Sequence, residues 1–191
     1  PDIDFWRGLF RDGICLGNPS GIIDGEIRVL PYTTENHQRI VVALICLLAN
    51  CLDGSNTDVF PSDKLLFVES YNEAYYPDIT IFPPKIEYKH FRGKMMAALN
   101  PPVIIEVLSE STAHIDRGTK LHCYKTLSSL KQYVLVSQDE KRVEIYNRHN
   151  GSDEWLYTDY VKDEQTVKIG ECAISIKDIY VKVKFEATKK A

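Results

Sequence analysis

Two acids stand against the local grain of this sequence. Asp78 follows Tyr76-Pro77 and opens the apolar run Ile79-Thr80-Ile81-Phe82. Glu106 sits inside Val103-Ile104-Ile105-Glu106-Val107-Leu108, the most hydrophobic stretch of the chain. An unpaired carboxylate in an apolar interior costs several kcal/mol or takes up a proton. Such residues are therefore paired, hydrogen-bonded or bound to a metal. Two carboxylates on neighbouring strands suit one hard divalent cation. Mg²⁺ takes one or two protein carboxylates and keeps positions for waters and phosphate oxygens. The ion acidifies a bound water and stabilises charge on a phosphate under attack, and a nearby lysine can orient the nucleophile. Each acid alone has a plainer reading. Pro-Asp before a strand is usually a turn, and a lone glutamate in an apolar strand usually pairs with an arginine or a backbone donor.

The surrounding elements must bring these groups together. Residues 22–30 read as a strand or hairpin about the turn-prone Asp24-Gly25. Thr33-Thr34 can cap a helix ending near residue 52, with Ile40, Leu44, Leu47, Leu48 and Cys51 at helical spacing. Strands are expected over 58–69 and 74–82, ended by Pro83-Pro84. Residues 84–101 read as a long polar connection carrying Lys85, Lys89, His90, Arg92 and Lys94 among Tyr88 and Phe91. Such a loop can touch a phosphate backbone or simply be solvated. The unbroken apolar run at 102–108 implies a central strand buried on both faces. A second helix capped by Ser111 or Thr112 should reach about residue 127, and β material follows over 132–137, 142–146, 154–160, 166–169 and 173–176. The order predicts a mixed α/β (α+β) domain: one sheet flanked by helices, with additional β-hairpins. Residues 1–191 read as a single domain, with 1–20 a lead-in and 182–191 a basic tail that frays.

An ordered series of segments resembles the Uma-type restriction-endonuclease-like family, a branch of the PD-(D/E)xK nuclease superfamily. The resemblance runs from about Ile23 to Tyr146. It rests on Asp24-Gly25-Glu26, His37, Phe60-Pro61-Ser62-Asp63, Tyr76-Pro77-Asp78, Ile105-Glu106-Val107-Leu108-Ser109, Ser111-Thr112, and Asp116 with Lys120 and Tyr124. It implies a restriction-endonuclease-like fold, a DNA substrate, and Mg²⁺ or Mn²⁺ held by Asp78 and Glu106, with the Val107 carbonyl as a further ligand. The chain departs from the superfamily pattern at Leu108, where a lysine is usual. Lys120, on the next helix, resembles the relocated lysine of this branch. A salt bridge to Asp116, its i−4 neighbour, is the plainer role for it. Glu26 and His37 are second-rank candidates. Glu26 could line the metal site, and His37 could hold a ligand or water from the helix start.

Composition sets the outer limits. The chain has 191 residues and a net charge of −4, with 44% hydrophobic and 26% charged residues. That excludes a protein coating nucleic acid through bulk charge and argues against wholesale disorder. No run approaches the roughly 18 apolar residues of a membrane span, and no leader pattern opens the chain. The five cysteines form no C-x-x-C pair, which predicts a reduced, cytoplasmic chain. There is no G-x-S-x-G elbow and no G-x-x-x-x-G-K loop, which disfavours a serine hydrolase or a P-loop NTPase. The leading expectation is a metal-dependent DNA endonuclease acting as a homodimer, because one site makes only nicks. The alternative is a non-catalytic binding or assembly module on a nuclease-like scaffold.

Overall fold

A computed structural model of the chain describes residues 20–23, 26–29, 33–92 and 95–185, with the backbone alone for Arg92 and for those before residue 33. A hairpin comes first, β1 (Ser20–Ile23) with β2 (Glu26–Val29), antiparallel through Ile23↔Glu26. Asp24-Gly25 lies outside the described residues. Helix α1 (Glu35–Cys51) follows. Thr34 caps it, its side chain accepting from the His37 amide at 3.1 Å. His37, Ile40, Leu44 and Leu48 form its buried stripe, the i, i+3, i+7, i+11 spacing of one helical face.

Both strands expected over 58–69 and 74–82 divide between two sheets. The first becomes β3 (Asp58–Pro61) and β4 (Leu66–Val68). The second becomes β5 (Glu73–Tyr75) and β6 (Ile79–Phe82). The breaks fall at Pro61 and Pro77. Proline has no amide to donate and fixes φ, so it interrupts a ladder and redirects the chain. The stretch at 84–101 is not a loop. It forms an antiparallel hairpin of β7 (Tyr88–Arg92) and β8 (Met95–Ala98). The Asn100 side chain closes its base, accepting from the Glu87 amide at 2.9 Å and donating to the Lys85 carbonyl at 3.1 Å. Lys89 pairs with Glu69 at 2.8 Å, and Lys94 lies outside the described residues.

The central strand β9 (Val103–Leu108) is buried at all six positions. It runs parallel to β10 (Gln132–Ser137) in the register Glu106↔Leu135. A parallel pair needs a crossover, and helix α2 supplies it. This helix spans residues 113–124 and is π-helical over Asp116–Lys120. Strands β11 (Val143–Arg148) and β12 (Trp155–Tyr160) extend the sheet antiparallel. The order of this sheet is β12-β11-β10-β9-β6-β3, and of the other β2-β1-β5-β4-β8-β7. So a second six-stranded sheet stands where one was expected. A small hairpin, β13 (Thr166–Ile169) with β14 (Cys172–Ser175), and helix α3 (Ile176–Ile179) complete the described chain. Residues 182–185 are docked rather than frayed. The Asn36 side chain donates to the Lys184 carbonyl at 2.8 Å and accepts from its amide at 3.2 Å.

Alternation along the central strands separates two cores. Val103, Ile105, Val107, Val134 and Val136 face α1 and the β13–β14 hairpin. Ile104, Leu108, Tyr133 and Leu135 face α2 and β4–β5. Among the described residues no helix is long and apolar enough to cross a membrane. The expectation of fully reduced cysteines is corrected. Cys51, at the end of α1, is disulfide-bonded to Cys172 of β14, with Cα atoms 5.9 Å apart. The two are separated by 121 positions, so their spacing along the chain carries no sign of the pairing.

The bridge ties α1 to the hairpin that covers the same core. Reduction should lower unfolding stability by roughly 2–5 kcal/mol. Cys51→Ser should reproduce that loss in urea melts and make the midpoint insensitive to reductant. A wild-type midpoint unmoved by reductant would refute the bridge.

Candidate active site

Glu106 shares the α2-facing side of β9 with Ile104 and Leu108, and only 3% of it is exposed. Its Oε1 accepts from Lys120 Nζ at 3.0 Å and from the Tyr124 hydroxyl at 3.1 Å. Its Oε2 lies 3.4 Å from the Asp78 amide, which donates to it. The Lys120 side chain is 14% exposed and stands 2.8 Å from Asp116 Oδ1. The salt bridge to its i−4 neighbour is present, and the same ammonium also pairs with Glu106. Asp116, Lys120 and Tyr124 follow one another at i+4 steps along α2 and turn the same face to β9. The π-helical turn aims the first two, and Tyr133 of β10 donates its hydroxyl to the Asp116 carbonyl at 3.1 Å.

Asp78 stands where the chain leaves one sheet for the other. Pro77 breaks the strand just before it, so its side chain is not committed to a sheet face. Oδ2 accepts from the Val107 amide at 2.7 Å. Oδ1 lies 3.2 Å from Nε2 of His37. The Thr34 cap fixes the start of α1, and that places His37 opposite Asp78. The other ring nitrogen, Nδ1, is buried with no hydrogen-bond partner among the described residues. Pairing of β6 with β9 ends at Ile79↔Ile105. A strand residue turns its amide and carbonyl to the same edge. The Val107 carbonyl thus leaves β9 on the Asp78 side, past the last paired residue of β6.

The expected residues Asp78, Glu106, Val107, Lys120 and His37 are therefore gathered at one end of the sheet. Glu26 opens β2 in the other sheet, and its side chain lies outside the described residues. In the sequence, Asp116 is legible only as a salt-bridge partner for Lys120. Its i, i+4, i+8 row with Lys120 and Tyr124 was the available signal. The pair of Arg117 with Glu144 was not anticipated at all.

The charges do not balance. Glu106 and Asp116 share one ammonium, and Asp78 brings a third carboxyl group close to Glu106. Burial raises the Glu106 pKa first of all, Asp116 and Asp78 raise it further, and Lys120 opposes them, leaving it at about 8. Burial pulls the Lys120 ammonium down, but Glu106 and Asp116 outweigh it and hold the lysine above its usual range. Burial likewise lifts the Tyr124 hydroxyl, with Glu106 adding to it. The site is short of positive charge, which is what a divalent cation supplies. Among the described residues no three histidine, cysteine or acidic side chains form a metal cage. The donor set is two carboxylates and one carbonyl. That suits Mg²⁺ or Mn²⁺, which keep several waters, better than a fully protein-ligated ion.

The metal-free protein should show this charge deficit in its stability. Below about pH 4.5 folded and unfolded chains both carry the Glu106 proton. Between there and about 8 the folded chain keeps a proton the unfolded chain has lost. Stability is then fully present at the acid end and falls as pH rises. At about 1.4 kcal/mol per pKa unit, the loss is on the order of a few kcal/mol. Urea unfolding in chelator from pH 5 to 8 should show the decline, and Glu106→Gln should flatten it.

Known proteins resemble this chain over most of its length. Residues 20–175 match the Uma2 family, described as "Putative restriction endonuclease". The chain is 32% identical over 149 residues to "Uncharacterized protein sll1609" of Synechocystis sp., covering 78% of this chain and 82% of that protein. It is 29% identical over 137 residues to "Uncharacterized protein slr1290" of the same organism, covering 72% and 70%. A crystal structure described as a "putative nuclease belonging to DUF820 from Anabaena variabilis" superposes with a TM-score of 0.68 at 20% identity, covering 87% of this chain and 93% of that one. That likeness establishes a nuclease-like fold. The chain belongs to the Uma2 restriction-endonuclease family.

Proposed function

We propose that this chain is a metal-dependent endonuclease that hydrolyses DNA phosphodiester bonds. The observation that carries the reading is Glu106, a buried acid in the most apolar strand, beside a second acid and short of compensating charge. Asp78, Glu106 and the Val107 carbonyl would hold Mg²⁺ or Mn²⁺. When bound, the ion would acidify water and stabilise the charge that gathers on the phosphate. The side chains have separate tasks. His37 and the Val107 amide fix the two oxygens of Asp78. Tyr124 fixes Oε1 of Glu106. Lys120, charged and held between Glu106 and Asp116, orients the attacking water and offsets negative charge at the phosphorus. Its place on the helix makes up for Leu108, which carries no charge.

A single such site cuts one strand, so a homodimer is proposed for double-strand cleavage. A cytoplasmic setting is proposed from the cysteine pattern, which has no C-x-x-C pair. The Cys51–Cys172 bridge argues the other way, because reducing compartments keep thiols reduced. A second reading, a non-catalytic nuclease-like module, is favoured by one observation: Lys120 is already saturated by two acids.

Purified protein should cut plasmid DNA with Mg²⁺ or Mn²⁺. Asp78→Ala and Lys120→Ala should each lower the rate at least 100-fold, with Asp78→Ala also abolishing Mg²⁺ binding in calorimetry. Mg²⁺ binding without cleavage would favour the module. Cleavage untouched by Asp78→Ala would refute the assigned chemistry.

A further inference from the structure

Glu106 belongs to a row. The register places Glu106 of β9, Leu135 of β10, Glu144 of β11 and Asp159 of β12 side by side on one face of the sheet. Each acid of the row holds a basic side chain. Glu106 holds Lys120, Glu144 holds Arg117, and Asp159 holds Arg142 at 3.0 Å. Leu135, between the first two acids, is fully buried beneath α2, so the row reaches solvent at Arg117 and Arg142.

The middle pair is uneven. Glu144 lies between the core residues Val143 and Ile145 and is 5% exposed, whereas the Arg117 side chain is 40% exposed. The carboxylate grips the guanidinium side-on. Arg117 Nε donates to Oε1 at 3.1 Å and to Oε2 at 3.3 Å, and Nη2 also donates to Oε1. Nη1 has no hydrogen-bond partner among the described residues. Burying an acid under an arginine that faces water adds little stability, since one end of the pair is screened. What it gives is a fixed arginine with one free edge. A planar guanidinium so presented matches phosphate oxygens. Exposed Tyr157 of β12 lies on the same face of the sheet, its ring 5.1 Å from that of Tyr146. Strands lie about 4.8 Å apart, so Glu144 is about 10 Å from Glu106 across the row. With an axial rise of about 3.4 Å per phosphate on one strand, that is within a few phosphates.

We propose that Arg117, locked by buried Glu144, contacts a DNA backbone phosphate next to the one at Glu106. The exposed end of the row, Arg117 and Arg142, is then the track of the bound strand. This rests on the nuclease reading above. Arg117 is a binding residue and Glu144 a positioning residue.

The test uses the full chain and a short fluorescein-labelled DNA duplex. Anisotropy is measured in Ca²⁺ over a range of NaCl, with plasmid cleavage measured in Mg²⁺. Arg117→Ala should weaken binding about tenfold and reduce the slope of log Kd against log salt by about one. Arg117→Lys should keep the salt slope but lose affinity, because the fork is gone. Lys168→Ala, on the exposed face of β13, should change neither. Glu144→Gln separates positioning from charge. Removing a negative charge by itself should tighten DNA binding, whereas releasing Arg117 should weaken it and slow cleavage. Wild-type protein that binds and cuts, with Arg117→Ala and Arg117→Lys matching it in affinity and slope, overturns the inference and leaves the nuclease reading intact. Tighter binding by Glu144→Gln also overturns the positioning role. Wild-type protein that neither binds nor cuts overturns the nuclease reading, and the track with it.

Discussion

A carboxylate inside an apolar strand must be answered by charge, and much of this molecule is arranged around that demand. Glu106 has Ile105 and Val107 as neighbours in a strand buried throughout. The strand cannot supply a cation, so α2 brings one. That helix exists in this place because β9 and β10 run parallel and need a crossover between them. The connection that topology requires is therefore also the element that carries Asp116, Lys120 and Tyr124 to the acid. Removing the lysine would leave two buried carboxylates unpaired, a change typically costing 3–5 kcal/mol. Stability and the proposed chemistry lean on one ammonium group.

The second acid arrives by a different route. Pro77 ends the ladder of one sheet and starts the chain toward the other. Asp78 is left at the junction, where no regular partner claims it. It can therefore take the Val107 amide, an edge group with no β6 residue opposite it. On the other face of the sheet, the capped start of α1 offers His37. The site is thus assembled from both sides of one sheet end.

The site was more legible in the sequence than the fold around it. Asp78 and Glu106 stood out because a charge in an apolar run is expensive, and that cost is local. The α1 stripe of Ile40, Leu44 and Leu48 was readable for the same reason, as one face has one period. The division of 58–69 and 74–82 between two sheets was not, because an apolar strand looks alike whichever sheet it joins. The hairpin at 88–98 was hidden by its charges. Lys89 and His90 sit on exposed positions of a β7 edge strand, where polar residues suit water and mimic a loop. Non-local facts left no trace at all. The Arg117–Glu144 pair and the Cys51–Cys172 bridge depend on which strands lie side by side.

That bridge makes a covalent ring of everything between its two ends. Asp78, Glu106, Lys120 and Arg117 all lie inside the ring, while His37 enters from the short arm that leads into Cys51. A protease nicking the 138–141 turn would open the ring without releasing a fragment. The two pieces would stay joined through sulfur and held by the shared sheet. In an oxidising medium a nicked chain could keep its acids, its lysine and its sheet in place. Under reductant the same nicked chain would have only packing to hold it together.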